Sequence, residues 1–378
     1  MKKIAILTQP LGHNYGGMLQ AWALQQVVTQ LGYNVVTIDR QPAKLSLTYL
    51  FIRLAYRALL KGLGKGKSPI FIESKKKVAY KNTRDFISTN LIMSEPLFST
   101  LQLIEHFDDI GYDAVIVGSD QTWRPKYSPC IENFYLDFLE KKKIKKIAYA
   151  SSFGVSEWEY DAELTARCSK LANLFDWISV REDSGVELCK KYFNIDADHV
   201  LDPTLLLSQS DYRKLIGQGR LDSKSSGIYT YILDSSSEKT QLIESFAKEH
   251  AEQVYSCQAK CSIEESIDPH DMLMPDPRDW LAGFANAKYV ITDSFHGTVF
   301  SIIFNKPFIS ISNSGRGATR FQSLLKIFNL EDRLVSNHNE ITHKLSMKPI
   351  NYDIINNILD IERKKSVSLL MKAIDNGV

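Results

Sequence analysis

Five stretches of this chain carry residues whose types and spacing could do chemistry. In "TDSFHGTVFS" (292–301) His296 stands beside Gly297, at the point where an apolar β-type run gives way to a helical one. An imidazole there, next to the free N–H groups of a helix start, suits binding or protonating a phosphate. Lone histidines are more often structural, and it is the junction that marks this one. Downstream, "SNSGRGATRF" (312–321) puts Arg316 and Arg320 four apart in a glycine-rich loop that leads into another helix. Guanidinium forks grip carboxylate and phosphate bidentately, so this half of the chain offers an anion pocket with room for more than one anionic group. In "GSDQTW" (118–123) Asp120 closes a β-type run, where a carboxylate serves as a base or holds a sugar hydroxyl; the alternative is that Ser119 or Asp120 caps a turn. In "VREDSG" (180–185) Arg181 is either an anion receptor at a strand end or an ion-pair partner of its acidic neighbours. The glycines of "GHNYGG" (12–17) allow close backbone approach, and His13, Asn14 and Tyr15 add polar handles, without the G-x-G-x-x-G spacing of a dinucleotide site.

The elements that must position these residues alternate. "KIAILT" reads as a strand, "MLQAWALQQVVTQLG" as a helix closed by Gly32, and "YNVVTID" as the next strand. β-type runs at "DAVIVGS", "KKIAYASS" and "DWISVRE" continue the series, with helical stretches between them. After "HVLDPTLLL" (199–207), which reads as a crossing segment with a turn at Asp202-Pro203, the alternation restarts. Strands "GIYTYIL", "QVYSC", "KYVITDS" and "PFISIS" are separated by helices, the last of them "RFQSLLKIFNL". This predicts an α/β protein of two Rossmann-like lobes facing a central cleft, each sheet parallel and covered on both sides. We assign residues 1–198 to an N-terminal lobe on the acceptor side, 199–345 to a C-terminal lobe on the donor side, and 346–378 to a terminal helix that returns to the first lobe.

Composition narrows the function classes. The 378 residues suffice for two ordinary domains, and a formal net charge of +2 argues against a nucleic-acid binder that relies on bulk charge. Five scattered cysteines supply neither a disulfide framework nor a zinc quartet, and no ligand cluster calls for a metal. The short apolar start "MKKIAIL" is not a signal peptide and no run is long enough to span a membrane, which points to a cytoplasmic protein. One segment breaks the α/β alternation. Residues 44–81 hold ten Lys/Arg and a single acid, Glu73, and Arg53, Arg57 and Lys61 fall four apart beside Leu, Phe, Ile and Tyr. Either this helical insert packs its apolar side on the lobe, or residues 45–67 form a basic amphipathic helix that lies on the inner face of an anionic membrane. The "GLGKGKS" inside it is one residue short of a P-loop and follows a helix, so it is not one.

Taken in order over about residues 1–340, the stretches "NYGGMLQAWALQ" (14–25), "DAVIVGSDQTW" (113–123), "WISVRE" (177–182), "VLDPTLLL" (200–207) and "TDSFHGTVFS" make the chain resemble the polysaccharide pyruvyl transferase family. The resemblance implies a GT-B-like fold and transfer of pyruvate from phosphoenolpyruvate to a sugar as a cyclic ketal on two hydroxyls, with release of phosphate. It implies that His296 binds the donor and acts in catalysis and that Arg181 contacts the donor. Relatives carry an arginine two residues before that histidine, where this chain has Ser294; we expect Arg316 or Arg320 to supply the charge. The expected site therefore comprises His296 and Asp120 as catalytic residues. Arg181, Ser294, Gly297, Arg316 and Arg320 join His296 at the donor, and His13, Asn14, Tyr15 and Gly16 join Asp120 at a saccharide acceptor, lipid-linked if the insert meets a membrane. Phosphoenolpyruvate is a co-substrate, and no cofactor is expected. Two rival readings are a GT-B glycosyltransferase whose nucleotide-sugar is gripped by Asp276, Asp279 or Glu264, and a non-catalytic saccharide-binding protein.

Overall fold

The structure is a computed structural model that describes residues 1–63, 72–222, 226–263, 268, 270–312, 318–335 and 349–375. Eleven strands among these residues form two sheets. The first holds β1 (Lys3–Leu7), β2 (Asn34–Ile38), β3 (Ala114–Val117), β4 (Lys145–Ser151), β5 (Trp177–Val180) and β6 (Asp198–His199), in the order β2-β1-β3-β4-β5-β6. The second holds β7 (Ile228–Tyr231), β8 (Val254–Ser256), β9 (Tyr289–Thr292), β10 (Phe308–Ile311) and β11 (Leu334–Val335), in the order β11-β10-β9-β7-β8. Every pairing is parallel. All four residues of β3, β5, β7 and β10 are buried, which is why these runs carry no charge and are dominated by apolar and aromatic residues rather than alternating with charged ones.

The lobes share one apolar core. The helix Tyr15–Gln30 is buried almost all round, from Tyr15 through Val28, because it packs on its own sheet and on the second lobe at once. Its Trp22 meets Tyr212, and Tyr15 stacks on Trp280 with ring centroids 5.3 Å apart. The helix Tyr352–Asp375 bridges the halves: Tyr352 donates to the Lys306 carbonyl of the second lobe, while Lys2 Nζ reaches Asp375 Oδ1 at 2.9 Å on the first. Between these ends Arg363 Nε donates to the Leu205 carbonyl at 2.9 Å.

Two local readings change. Asp202-Pro203 is not a plain turn: Asp202 caps the short helix Pro203–Leu206, accepting from Thr204 N at 3.0 Å, with proline at the first helical position where no N–H is needed. Ser294, singled out as the place of a missing arginine, caps the helix that follows β9 through Gly297 N, so this helix begins at Phe295. His296 therefore sits inside the first helical turn.

Candidate active site

The carboxyl ends of both sheets open on one cavity of about 570 Å³. The loop after β1, from Gln9 to Asn14, the start of the following helix at Gly16, Gly17 and Met18, and Asp120 and Gln121 after β3 line it from the first lobe; Asp293 to His296, Arg320 and Phe321 line it from the second. Parallel α/β sheets place ligands at this position because strand ends and helix N-termini converge there.

Beneath the cavity floor lies a buried charge cluster centred on Arg181. Its Nη1 donates to Asp202 Oδ2 at 2.9 Å, its Nη2 lies 3.6 Å from Asp120 Oδ1, and its Nε lies 3.6 Å from Glu182 Oε2. Burial alone would weaken the guanidinium, yet Asp202, Glu182 and Asp120 together raise its pKa. Asp202 is the hinge of the cluster. Burial pushes its carboxyl up, and the nearby His296 first, then Arg181 and Thr204, overturn that and hold it far below the usual carboxylate range. His296 Nε2 stands 3.7 Å from Asp202 Oδ2, so one carboxylate ties an arginine of the first lobe to the histidine of the second. Such a carboxylate helps to orient the imidazole.

Phe295 lies between the two arginines, with Arg181 Cζ at 4.8 Å and Arg320 Cζ at 5.7 Å from its ring centre. Arg320 is buried at the cavity wall, and burial first, then repulsion from Arg181, lowers its pKa to about 10. An anion in the cavity would relieve that penalty. Asp120 is held in the left-handed region, φ 71°, by hydrogen bonds from Thr122 N and Ser152 N to its carbonyl. A non-glycine residue there costs about 1–3 kcal/mol and marks a position whose side-chain direction matters. Its Oδ2 also receives Asn14 Nδ2 at 3.4 Å.

Gly16 explains the "YGG" of the first helix. A Cβ at Gly16 would run into the imidazole of His296, so the helix backbone approaches that ring as only glycine allows. We predict that Gly16→Ala leaves the fold intact, by circular dichroism, while displacing the ring and lowering turnover about a hundredfold, since misplacement by about 1 Å has that effect. Unchanged turnover would mean that the position of the ring is irrelevant.

Of the residues expected at the site, His13, Asn14, Gly16, Asp120, Ser294, His296 and Arg320 line the cavity. Three do not. Arg181 is 4% exposed and lies under the floor, committed to three carboxylates, so the direct donor contact is corrected to a supporting role. Tyr15, proposed for the acceptor, instead donates to the Pro275 carbonyl at 2.9 Å and latches the lobes together. Gly297 is a close-packing position, where a Cβ would strike Thr292 Oγ1. Arg316 lies outside the described residues, as does Glu264. Asp276 and Asp279, named for a ribose grip, instead pair with Arg278 and Arg220 away from the cavity. Sequence reasoning missed Asp202, although "VLDPTLLL" contained it, and missed Arg124, which lines the cavity and clasps Glu159 at 2.8 and 2.9 Å. Among the described residues no group of three or more His, Cys, Asp or Glu is arranged to hold a metal ion.

The family model described as polysaccharide pyruvyl transferase matches residues 14–315, a span that contains Asp120, Arg181, Asp202 and His296 and stops short of Arg320. Among solved structures, UDP-bound MnaA of S. aureus is similar with a TM-score of 0.52 at 10% identity, over 98% of this chain and 96% of that one. The UDP-GlcNAc 2-epimerase of Neisseria meningitidis, bound to UDP-GlcNAc, gives 0.51 at 11% identity over 98% and 100%. At such identities the likeness concerns the fold alone, two facing lobes of GT-B type. No curated protein is significantly similar in sequence. The matched span covers most of the chain and holds the charge cluster beneath the cavity floor, so the chain belongs to the polysaccharide pyruvyl transferase family.

Proposed function

We propose that this protein transfers the pyruvyl group of phosphoenolpyruvate to two hydroxyls of one saccharide, forming a cyclic ketal and releasing phosphate, in the synthesis of a surface or capsular polysaccharide. The observation that carries this reading is one cavity walled by a carboxylate of the first lobe, Asp120, and by His296 and the buried Arg320 of the second. Its volume of about 570 Å³ suits a small anion and a sugar together.

The reaction balances without a cofactor. The first hydroxyl oxygen bonds to C2 as its proton leaves, and of the two hydroxyl protons released overall one ends on the methylene carbon and the other on the departing phosphate. The C2–O bond to phosphate then breaks, and the second hydroxyl closes the ring at C2 as its proton leaves. In this reading Arg320 and the helix start at Ser294 hold the anionic groups, and Arg320 supplies the charge that relatives take from the residue at Ser294. His296, oriented by Asp202, donates to the leaving phosphate. Asp120, with Asn14 beside it, takes the proton of an attacking hydroxyl.

The test is incubation with phosphoenolpyruvate and a panel of nitrophenyl and lipid-linked sugars, followed by mass and free phosphate. The expected product is heavier than its acceptor by one pyruvyl ketal, with one phosphate released per ketal. Release of nucleotide from UDP-sugars, with no consumption of phosphoenolpyruvate, would replace this reading with glycosyl transfer.

A further inference from the structure

The basic insert carries an apolar face that the fold leaves open. No described side chain of the helix Leu47–Gly62 is buried. Tyr49, Phe51, Ile52, Tyr56, Leu59 and Leu63 are each at least half exposed, and they fall within one arc of roughly 160° at helical spacing. Of the two orientations that the sequence allowed, the apolar side facing outward is the one observed. Arg53, Arg57 and Lys61 lie outside that arc, on the opposite, polar side of the helix, and Arg53 lies over the Tyr49 ring at 5.9 Å.

We propose that the helix Leu47–Gly62 docks this protein on an anionic lipid bilayer, with the apolar arc entering the headgroup–acyl boundary and the basic row meeting lipid phosphates. The charge pattern selects this occupant. Ten Lys/Arg against one acid fall in residues 44–81 of a chain whose formal net charge is only +2, so the positive charge is concentrated where the apolar side chains are exposed. Among the described residues no helix is long and apolar enough to cross a membrane, so the helix lies on the surface. The base of the insert is anchored at the cavity: Tyr80 stacks on His13, which lines it, and Ala79 O accepts from Met274 N at 2.8 Å in the second lobe. Docking would therefore hold the cavity mouth close to the lipid surface, within reach of a lipid-linked acceptor.

The experiment is co-sedimentation of the full chain with vesicles of phosphatidylcholine alone and of phosphatidylcholine mixed with phosphatidylglycerol. The wild type is expected to pellet with the mixed vesicles, less so as salt rises, and to stay in solution with the neutral ones. The double variant F51E/L59E is expected to lose binding by about tenfold or more, with unchanged melting because both side chains lie in solvent. Wild type left in solution with the mixed vesicles, or equal pelleting of the variant, would overturn the proposal. So would a wild-type dimer that the variant dissociates without any vesicle binding, which would assign the face to self-association. None of these readouts requires pyruvyl transfer, so failure here is distinguishable from failure of the proposed reaction.

Discussion

His296→Ala is expected to lower turnover with phosphoenolpyruvate by about two to four orders of magnitude, the usual contribution of a positioned proton donor. The variant should keep its fold, because the imidazole lies at the cavity wall rather than in the apolar core. His296→Gln, which retains a hydrogen-bond donor without the charge, should recover part of the donor affinity and little of the turnover. The measurement is phosphate release at saturating and limiting donor, which separates kcat from KM. If the alanine variant turned over within a few-fold of wild type, His296 would be a packing residue beside Gly16, and the proton would have to come from elsewhere.

Asp202→Asn has the second large effect, and it acts on stability as well as chemistry. The amide can still cap the helix Pro203–Leu206, so the backbone there is preserved. What is lost is the charge opposite Arg181, which is 4% exposed. Removing one partner of a buried pair costs about 3–5 kcal/mol, read by urea unfolding at pH 7. The folded-state pKa of Asp202 is depressed, so its contribution is fully present above the ordinary aspartate pKa and is lost as pH falls toward the folded value. The stability gap between wild type and variant should thus narrow by about 1.4 kcal/mol for each pH unit below about 4. A gap that stayed constant from pH 7 to pH 3 would contradict this placement of the charge. Turnover should fall too, because His296 loses the carboxylate that orients it. Asp202 acts through His296 and Arg181, so its loss should also alter the pH profile of kcat, which a purely structural residue would leave alone.

Much of the architecture was legible because parallel sheets leave a strong trace. Strands buried on both faces are apolar throughout, as in "AVIV", or broken only by a small hydroxyl, as in "FISI", and amphipathic helices between them follow the 3.6-residue period. The boundary at Phe295 was less legible. Ser294 was read as the place of a missing arginine, and its role as a helix cap depends on a hydroxyl geometry that no spacing rule separates from a loop.

The site divides the same way. The sequence by itself determined which strand ends and helix starts carry His296, Asp120, Arg320 and the glycine loop, since composition and periodicity place chemistry-bearing residues at those junctions. Only the tertiary structure decided which of them meet. Arg181, which the sequence left as either an anion receptor or an ion-pair partner of its acidic neighbours, is buried under the cavity, where its neighbour Glu182 and the distant Asp120 and Asp202 converge on it. Asp202 became the link between the lobes although it is 94 positions from His296, and Gly16 owes its identity to that same imidazole. Sequence patterns record the periods of single elements. Charge compensation and close approach are sums over residues distant in the chain, and they exist only once the two sheets have been brought face to face.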